Sequence, residues 1–196
     1  GRTFVGASPE ILVRHRGSEI LSYALAGTAP KHGPNAWTKE QLLTDKKNLF
    51  EHNIVRDRIV HTMKTVTPDV TVGETGIMEL AHLYHLRTII TAKDSTKSLV
   101  EWARLLHPTP ALGGEPREKA LALLQTYEAH ERGMYAAPFG FMKDMGDGIV
   151  VVAIRSALIM DNVLYAYAGC GVVADSDADE EYAETNNNMR TILDAL

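Results

Sequence analysis

The sequence predicts an α/β chain of the layered α+β kind, with largely antiparallel sheets flanked by helices. Three observations carry that expectation. Residues 149–173 read as one long hairpin: an apolar run from Ile149 to Met160, a turn at Asp161-Asn162, and a return from Val163. Residues 36–66 switch to a helical period, with Leu42, Leu49, Val55, Ile59, Met63 and Val66 recurring at close to three- and four-residue steps. Strand-like and helix-like stretches do not alternate regularly, so a repeating βαβ chain is not indicated.

In chain order, residues 3–5, 11–13 and 19–21 are short apolar runs punctuated by Gly6, Pro9 and Gly17, and read as strands. Gly27 and the Lys31-His32-Gly33-Pro34 cluster break the pattern. The helix over 36–66 follows Pro34 and stops before Pro68. Val70 and Val72 suit a strand, and residues 83–92 another. Helices are expected over 98–106 and 116–127, the second opened by Pro116. Residues 107–114 hold too much Pro and Gly for a regular element. Asp177 opens a last helix that runs to Leu196. No internal repeat, low-complexity tract or linker is visible.

Composition narrows the function. The chain has 196 residues, 45% hydrophobic and 23% charged, in the range of an ordinary globular domain. With 20 basic and 25 acidic side chains its net charge is −5, which argues against a nucleic-acid partner. The single cysteine, Cys170, excludes an intrachain disulfide and a cysteine-based zinc cluster and suits a reducing compartment, so a cytoplasmic location is expected. No run reaches the ~18 apolar residues of a membrane helix, and no signal-peptide pattern precedes the first strand.

Several residues are candidates for chemistry on residue type and position. Glu181 and Glu184 stand three apart and share a helix face, where two carboxylates suit a hard cation such as Mg²⁺. With Asp177, Asp179 and Glu180 beside them, they also read as a solvated acidic helix start, and taken alone that plainer reading is favoured. Glu51 borders the apolar stripe of the long helix. It either needs a cation or forms an exposed pair with Lys47, and spacing favours the pair. Arg155 lies inside an apolar strand, where it invites a carboxylate from a substrate or from the protein. Gly169-Cys170-Gly171 allows close backbone approach to a ligand, but lacks the third glycine and βαβ frame of a dinucleotide site.

In order along the whole chain stand Phe4-Val5-Gly6-Ala7-Ser8-Pro9-Glu10, Leu25-Ala26-Gly27-Thr28, Glu51-His52, the His107 to Gly114 loop, Arg132-Gly133-x-Tyr135, Ile154-Arg155, Ala168-Gly169-Cys170-Gly171-Val172-Val173 and Glu181-x-x-Glu184-Thr185. Each is weak alone, and together they are specific. The set resembles the chorismate-utilising enzymes, and within them the isochorismate synthases. The resemblance implies a single chorismate-binding domain of which residues 1–196 form the C-terminal portion, the missing N-terminal half being its partner in the fold.

The resemblance also implies roles. Glu10 would be the general acid that protonates the departing C4 hydroxyl of chorismate. Glu51 and Glu184, with Glu181 directly or through water, would bind Mg²⁺. Tyr135 and Arg155 would hold the enolpyruvyl carboxylate, helped by the Gly169 backbone, with Gly27, Thr28 and His85 lining the pocket. Ala111 and Leu112 fall in the loop that separates subfamilies. Ala111 replaces the Thr usual in relatives that make anthranilate, aminodeoxychorismate or salicylate, and this form resembles isochorismate synthases, menaquinone supply ahead of siderophore supply.

Three departures stand out. The family's water-activating lysine lies upstream of the Ser-Pro-Glu motif, before Gly1. Asn188 occupies a position usually Lys, with Arg190 on the wrong face to compensate. Ala137 replaces a usual Gly. A non-catalytic chorismate- or Mg²⁺-binding module and an ammonia-using anthranilate-type component are the alternatives. A partial domain is further expected to expose apolar strand faces or edges.

Overall fold

The computed structural model describes residues 1–194. The strands are β1 Arg2–Gly6, β2 Ile11–Arg16, β3 Glu19–Pro30, β4 Val70–Val72, β5 Gly76–Glu79, β6 Leu83–Lys93, β7 Pro138–Met142, β8 Gly148–Val152, β9 Ser156–Met160 and β10 Val163–Tyr167. The helices are α1 Lys39–Thr44, α2 Lys46–Lys64, α3 Leu99–Leu106, α4 Pro110–Gly113, α5 Arg117–Tyr127 and α6 Ala178–Leu193. The strands form two sheets. One runs β4-β6-β3-β2-β8-β7, with β5 also on β6; the other runs β1-β9-β10. All their pairings are antiparallel, as expected.

The main core fills the space between the larger sheet and helices α2 and α3. Leu12, Val13, Ile20 and Ala24 come from the sheet, Val55, Ile59 and Met63 from α2, and Leu99, Trp102 and Leu106 from α3. In α2 the buried positions are Asn48, His52, Val55, Ile59 and Met63, one stripe of a 3.6-residue period. Trp102 is fully buried and its Nε1–H donates to Asp94 Oδ2 at 2.9 Å. Trp102→Phe, which removes this donor and leaves part of the indole's buried volume empty, is expected to cost about 2–4 kcal/mol. Urea denaturation with an unchanged slope would measure it.

Four smaller features differ from the sequence reading. The helix expected over 36–66 is two helices, because Asp45 is extended (φ −72°, ψ 124°) and its side chain caps α2 by accepting from Asn48 N–H. Trp37 precedes both, packed with Leu42, Leu49 and Tyr84 in a second small core. The strand that began at Glu19 does not stop at Gly27; it passes through it, with a register slip between Leu25 and Thr28. Residues 107–114 are not wholly irregular, since Pro110 starts the one-turn α4.

The largest correction concerns the long hairpin. Its turn is right, with Asp161 and Asn162 at φ 51° and 63°, as a two-residue hairpin turn requires. Its first arm is wrong. β8 and β9 lie in different sheets, and the chain crosses between them at residues 153–155, where Arg155 has φ 51°. Arg155 is therefore at a kink rather than within a strand. The return strand ends at Tyr167, short of residue 173.

β5 and β7 were not expected at all. β7 reads Pro-Phe-Gly-Phe-Met, and its Pro and Gly disguise an edge strand. Among the described residues its outer edge is unpaired, and Phe139 and Phe141 are 61% and 63% exposed. That agrees with the expected exposed apolar edge. Asp177 caps α6 as expected; the helix end expected at Leu196 lies outside the described residues. No helix is long and apolar enough to cross a membrane among the described residues.

Candidate active site

Glu10 lies between β1 and β2, where the two sheets meet. Its backbone N–H donates to Ser8 Oγ at 3.2 Å, and its carbonyl accepts from Val152 N–H at 3.1 Å. The carboxyl group is buried, and Thr109 Oγ1 donates to its Oε1 at 3.4 Å. Burial pushes its pKa from 4.5 up to about 8, against the opposing pulls of the Thr109 hydrogen bond and the Arg155 charge. At neutral pH it holds a proton, the state a general acid needs.

Thr109 itself was not singled out by the sequence. It stands at the N-cap of α4, yet its side chain makes no cap hydrogen bond and turns to Glu10 instead. Thr109→Val is expected to raise the Glu10 pKa further, and Thr109→Ser to leave it near the wild-type value. Carboxyl ¹³C titration of the two variants checks this. Ala111 and Leu112, on the same short helix, pack half-buried against the main core.

Arg155 reaches the site from the kink between the sheets. It is 7% exposed; one terminal nitrogen lies 3.1 Å from His85 Nε2, and its Nε is buried without a partner among the described residues. His85 Nδ1 is 3.1 Å from Thr28 Oγ1. Tyr135 stacks on Tyr167, with ring centroids 5.3 Å apart, and a Cβ on Gly169 would lie 3.1 Å from its hydroxyl. Gly169 therefore borders the Tyr135 hydroxyl, which the Arg155 charge also reaches.

Glu51 of α2 lies within electrostatic reach of Glu181 and Glu184 of α6. Burial raises Glu51, though a hydrogen bond from the Gly27 backbone and the Lys47 charge act against it. Glu184 is pushed up to about 7, first by burial and then by the negative charges of Glu51 and Glu181. Glu181 Oε1 accepts from Ser176 Oγ at 2.6 Å and pairs with Lys47, while its Oε2 is buried without a partner among the described residues.

The pair that spacing favoured, Lys47 with Glu51, is replaced by a long-range one with α6. Among the described residues no three His, Cys, Asp or Glu side chains are arranged to hold a metal ion. The residue types by themselves suit a hard cation. Three carboxylates repel one another, one oxygen is orphaned, and the available donors are oxygens.

The departures also have places. Asn188 faces inward and its Nδ2 donates to the Gly169 carbonyl at 2.9 Å, whereas Arg190 is exposed and pairs with Asp194. The strained backbone beside Ala137 falls on Ala136, at φ 63°. A groove of about 480 Å³ between α3 and β7, lined by Leu99, Val100, Phe141 and Met142 among others, carries none of these site residues.

The model for the family described as "Chorismate binding enzyme" matches residues 1–196. The chain belongs to the chorismate binding enzyme family. Within that family it is 38% identical to isochorismate synthase MenF of Bacillus subtilis, over 100% of this chain and 43% of that one. It is also 38% identical to a salicylate biosynthesis isochorismate synthase of Pseudomonas aeruginosa, over 98% of this chain and 42% of that one. The solved structure of MenF, the menaquinone-specific isochorismate synthase of Escherichia coli, superposes with a TM-score of 0.86 at 32% identity. The match covers 98% of this chain and 46% of that one. The chain thus spans less than half the length of these relatives, and the layered antiparallel fold read from the sequence is the family's fold.

Proposed function

We propose that the chain carries much of the active site of a Mg²⁺-dependent isochorismate synthase. The reaction adds water at C2 of chorismate and expels the C4 hydroxyl, with the ring double bonds shifting between them. Atoms balance, so it is an isomerisation. The observation that carries the reading is a buried Glu10 within reach of the Arg155 charge, its pKa pushed up to about 8 by burial, in a chain that also gathers Glu51, Glu181 and Glu184.

Arg155 and Tyr135 bind the enolpyruvyl carboxylate, with Gly169 leaving room for it. Glu51, Glu181 and Glu184 would hold Mg²⁺, which supplies positive charge for the ring carboxylate. Glu10 hands its proton to the C4 oxygen as that bond breaks, so hydroxide never has to leave. Ala111 supports water over ammonia as the nucleophile, and menaquinone supply in the cytoplasm is the pathway we favour.

The test is to give the full-length protein chorismate and Mg²⁺ and to resolve the products by chromatography. Isochorismate is the expected product. Binding without turnover would establish the non-catalytic reading, and an amine product in ammonium salt would establish the anthranilate-type one.

A further inference from the structure

We propose that His85 is a positioning residue, held as the Nδ1–H tautomer, that fixes the Arg155 guanidinium on one side and the Thr28 hydroxyl on the other. The placement starts from the backbone. Upstream of Gly27, β3 pairs with β6 in a register that sets Leu25 across from Arg87. Continued unchanged, it would put Gly27 across from His85. The slip between Leu25 and Thr28 advances the strand by one residue, so that Thr28 faces His85 instead. Gly27, at φ 78°, supplies the left-handed backbone there, and a Cβ on it would meet the Asn48 carbonyl at 3.0 Å.

The direction of the hydrogen bonds then follows from chemistry. A guanidinium has only donors, so His85 Nε2, 3.1 Å from the Arg155 nitrogen, must accept. The ring proton must therefore sit on Nδ1, which donates to Thr28 Oγ1 at 3.1 Å. With one lone pair so engaged, the Thr28 hydroxyl keeps its own hydrogen available to the Glu184 carboxylate, whose pKa it pulls down against the effect of burial. A doubly protonated ring would set an N–H against an N–H. His85 is 3% exposed, and burial followed by the Arg155 charge drives its pKa down to about 3, which keeps it neutral.

The arrangement has a use at each end. His85 takes up one terminal nitrogen of Arg155 and leaves the buried Nε–H free. That is an open edge for a carboxylate, held in one orientation before any ligand arrives. At the other end the Thr28 hydroxyl is left oriented to donate toward Glu184. One imidazole thus aligns the anion-binding arginine with a carboxylate of the cation cluster. The ligand part of this inference rests on the chorismate reading; the tautomer part does not.

The test is a long-range ¹H–¹⁵N correlation spectrum of the full-length protein labelled at histidine, with the His85→Phe variant for assignment. A protonated-type Nδ1 shift and a lone-pair-type Nε2 shift, unchanged between about pH 6 and 8, are expected. In Arg155→Met the preference should relax toward a tautomer mixture. An Nε2–H tautomer or an imidazolium in the wild type overturns the proposal. His85→Phe should also weaken chorismate binding about tenfold with the thermal melt retained. Unchanged affinity in that variant would overturn the positioning role while leaving the isochorismate synthase reading intact. If the wild type binds no chorismate, that reading fails and the tautomer result still decides this one.

Discussion

Glu10→Gln is expected to abolish isochorismate formation by the full-length protein while making the fold more stable. Loss of the proton donor removes a general acid, a contribution of about 10²–10⁴ in rate. The stability gain follows from proton linkage. Burial raises the Glu10 pKa from 4.5 to about 8, so over that window the native state keeps a proton that the unfolded chain releases. Stability therefore falls as pH rises through the window, by about 1.4 kcal/mol per unit, on the order of 3 kcal/mol at pH 7. Glutamine has nearly the shape of the protonated acid, its oxygen can still accept from Thr109, and it never ionises. The two proteins should be about equally stable near pH 4.5, and the difference should grow toward pH 8. Urea denaturation at both ends of that range, alongside product formation, checks both halves. In the wild type, turnover should also fall above about pH 8 as the acid ionises. Equal stability at alkaline pH, or a variant with undiminished turnover, would remove Glu10 from the acid role.

The site's individual residues were more legible than the geometry that assembles them. Glu10, Arg155 and the carboxylates could be named because the ordered motifs resemble a family, not because their spacing demanded it. The spacing of Glu51 and Lys47 pointed to a local pair on one helix. Lys47 instead pairs with Glu181, 134 residues away, a contact that depends on α6 packing against β3 and β10. Arg155 read as a strand residue because the sequence around it is uniformly apolar, and hydrophobicity does not report a change of sheet. Its positive φ is imposed by the crossing of the chain, and no glycine marks it. Asp45 split a helix in which the apolar period continued across the break, since the period survives when the backbone turns and caps itself. Thr109 was hidden for a related reason. It lay in a stretch that reads as an irregular loop, and only the packing of α4 beside Glu10 shows where its hydroxyl is used.

Gly171→Ala is expected to disable the proposed cation site without unfolding the chain. A Cβ at this position would lie 2.2 Å from Glu51 Oε1 and 2.6 Å from its Cδ, closer than real contacts allow. The obstructing atoms are the far end of a flexible side chain, so the glutamate can swing away and the backbone need not move. Gly171 is only half-buried, and the melting temperature should therefore shift by no more than a few degrees. The site would suffer more. Misplacing a binding group by about 1 Å costs on the order of 10² in rate, and Mg²⁺ affinity measured by calorimetry should weaken with it. Moving the Glu51 charge also relieves one of the repulsions that raise Glu184, whose titration should shift downward from about 7. Shortening the obstructing side chain supplies the control. Glu51→Asp draws the carboxylate back by one methylene, so the Gly171→Ala, Glu51→Asp double variant should recover part of the cation binding that Gly171→Ala alone loses. Such recovery is a non-additive coupling between two residues in contact, as steric exclusion requires. Full Mg²⁺ affinity in Gly171→Ala would instead show that the Glu51 carboxylate is not part of the cation site.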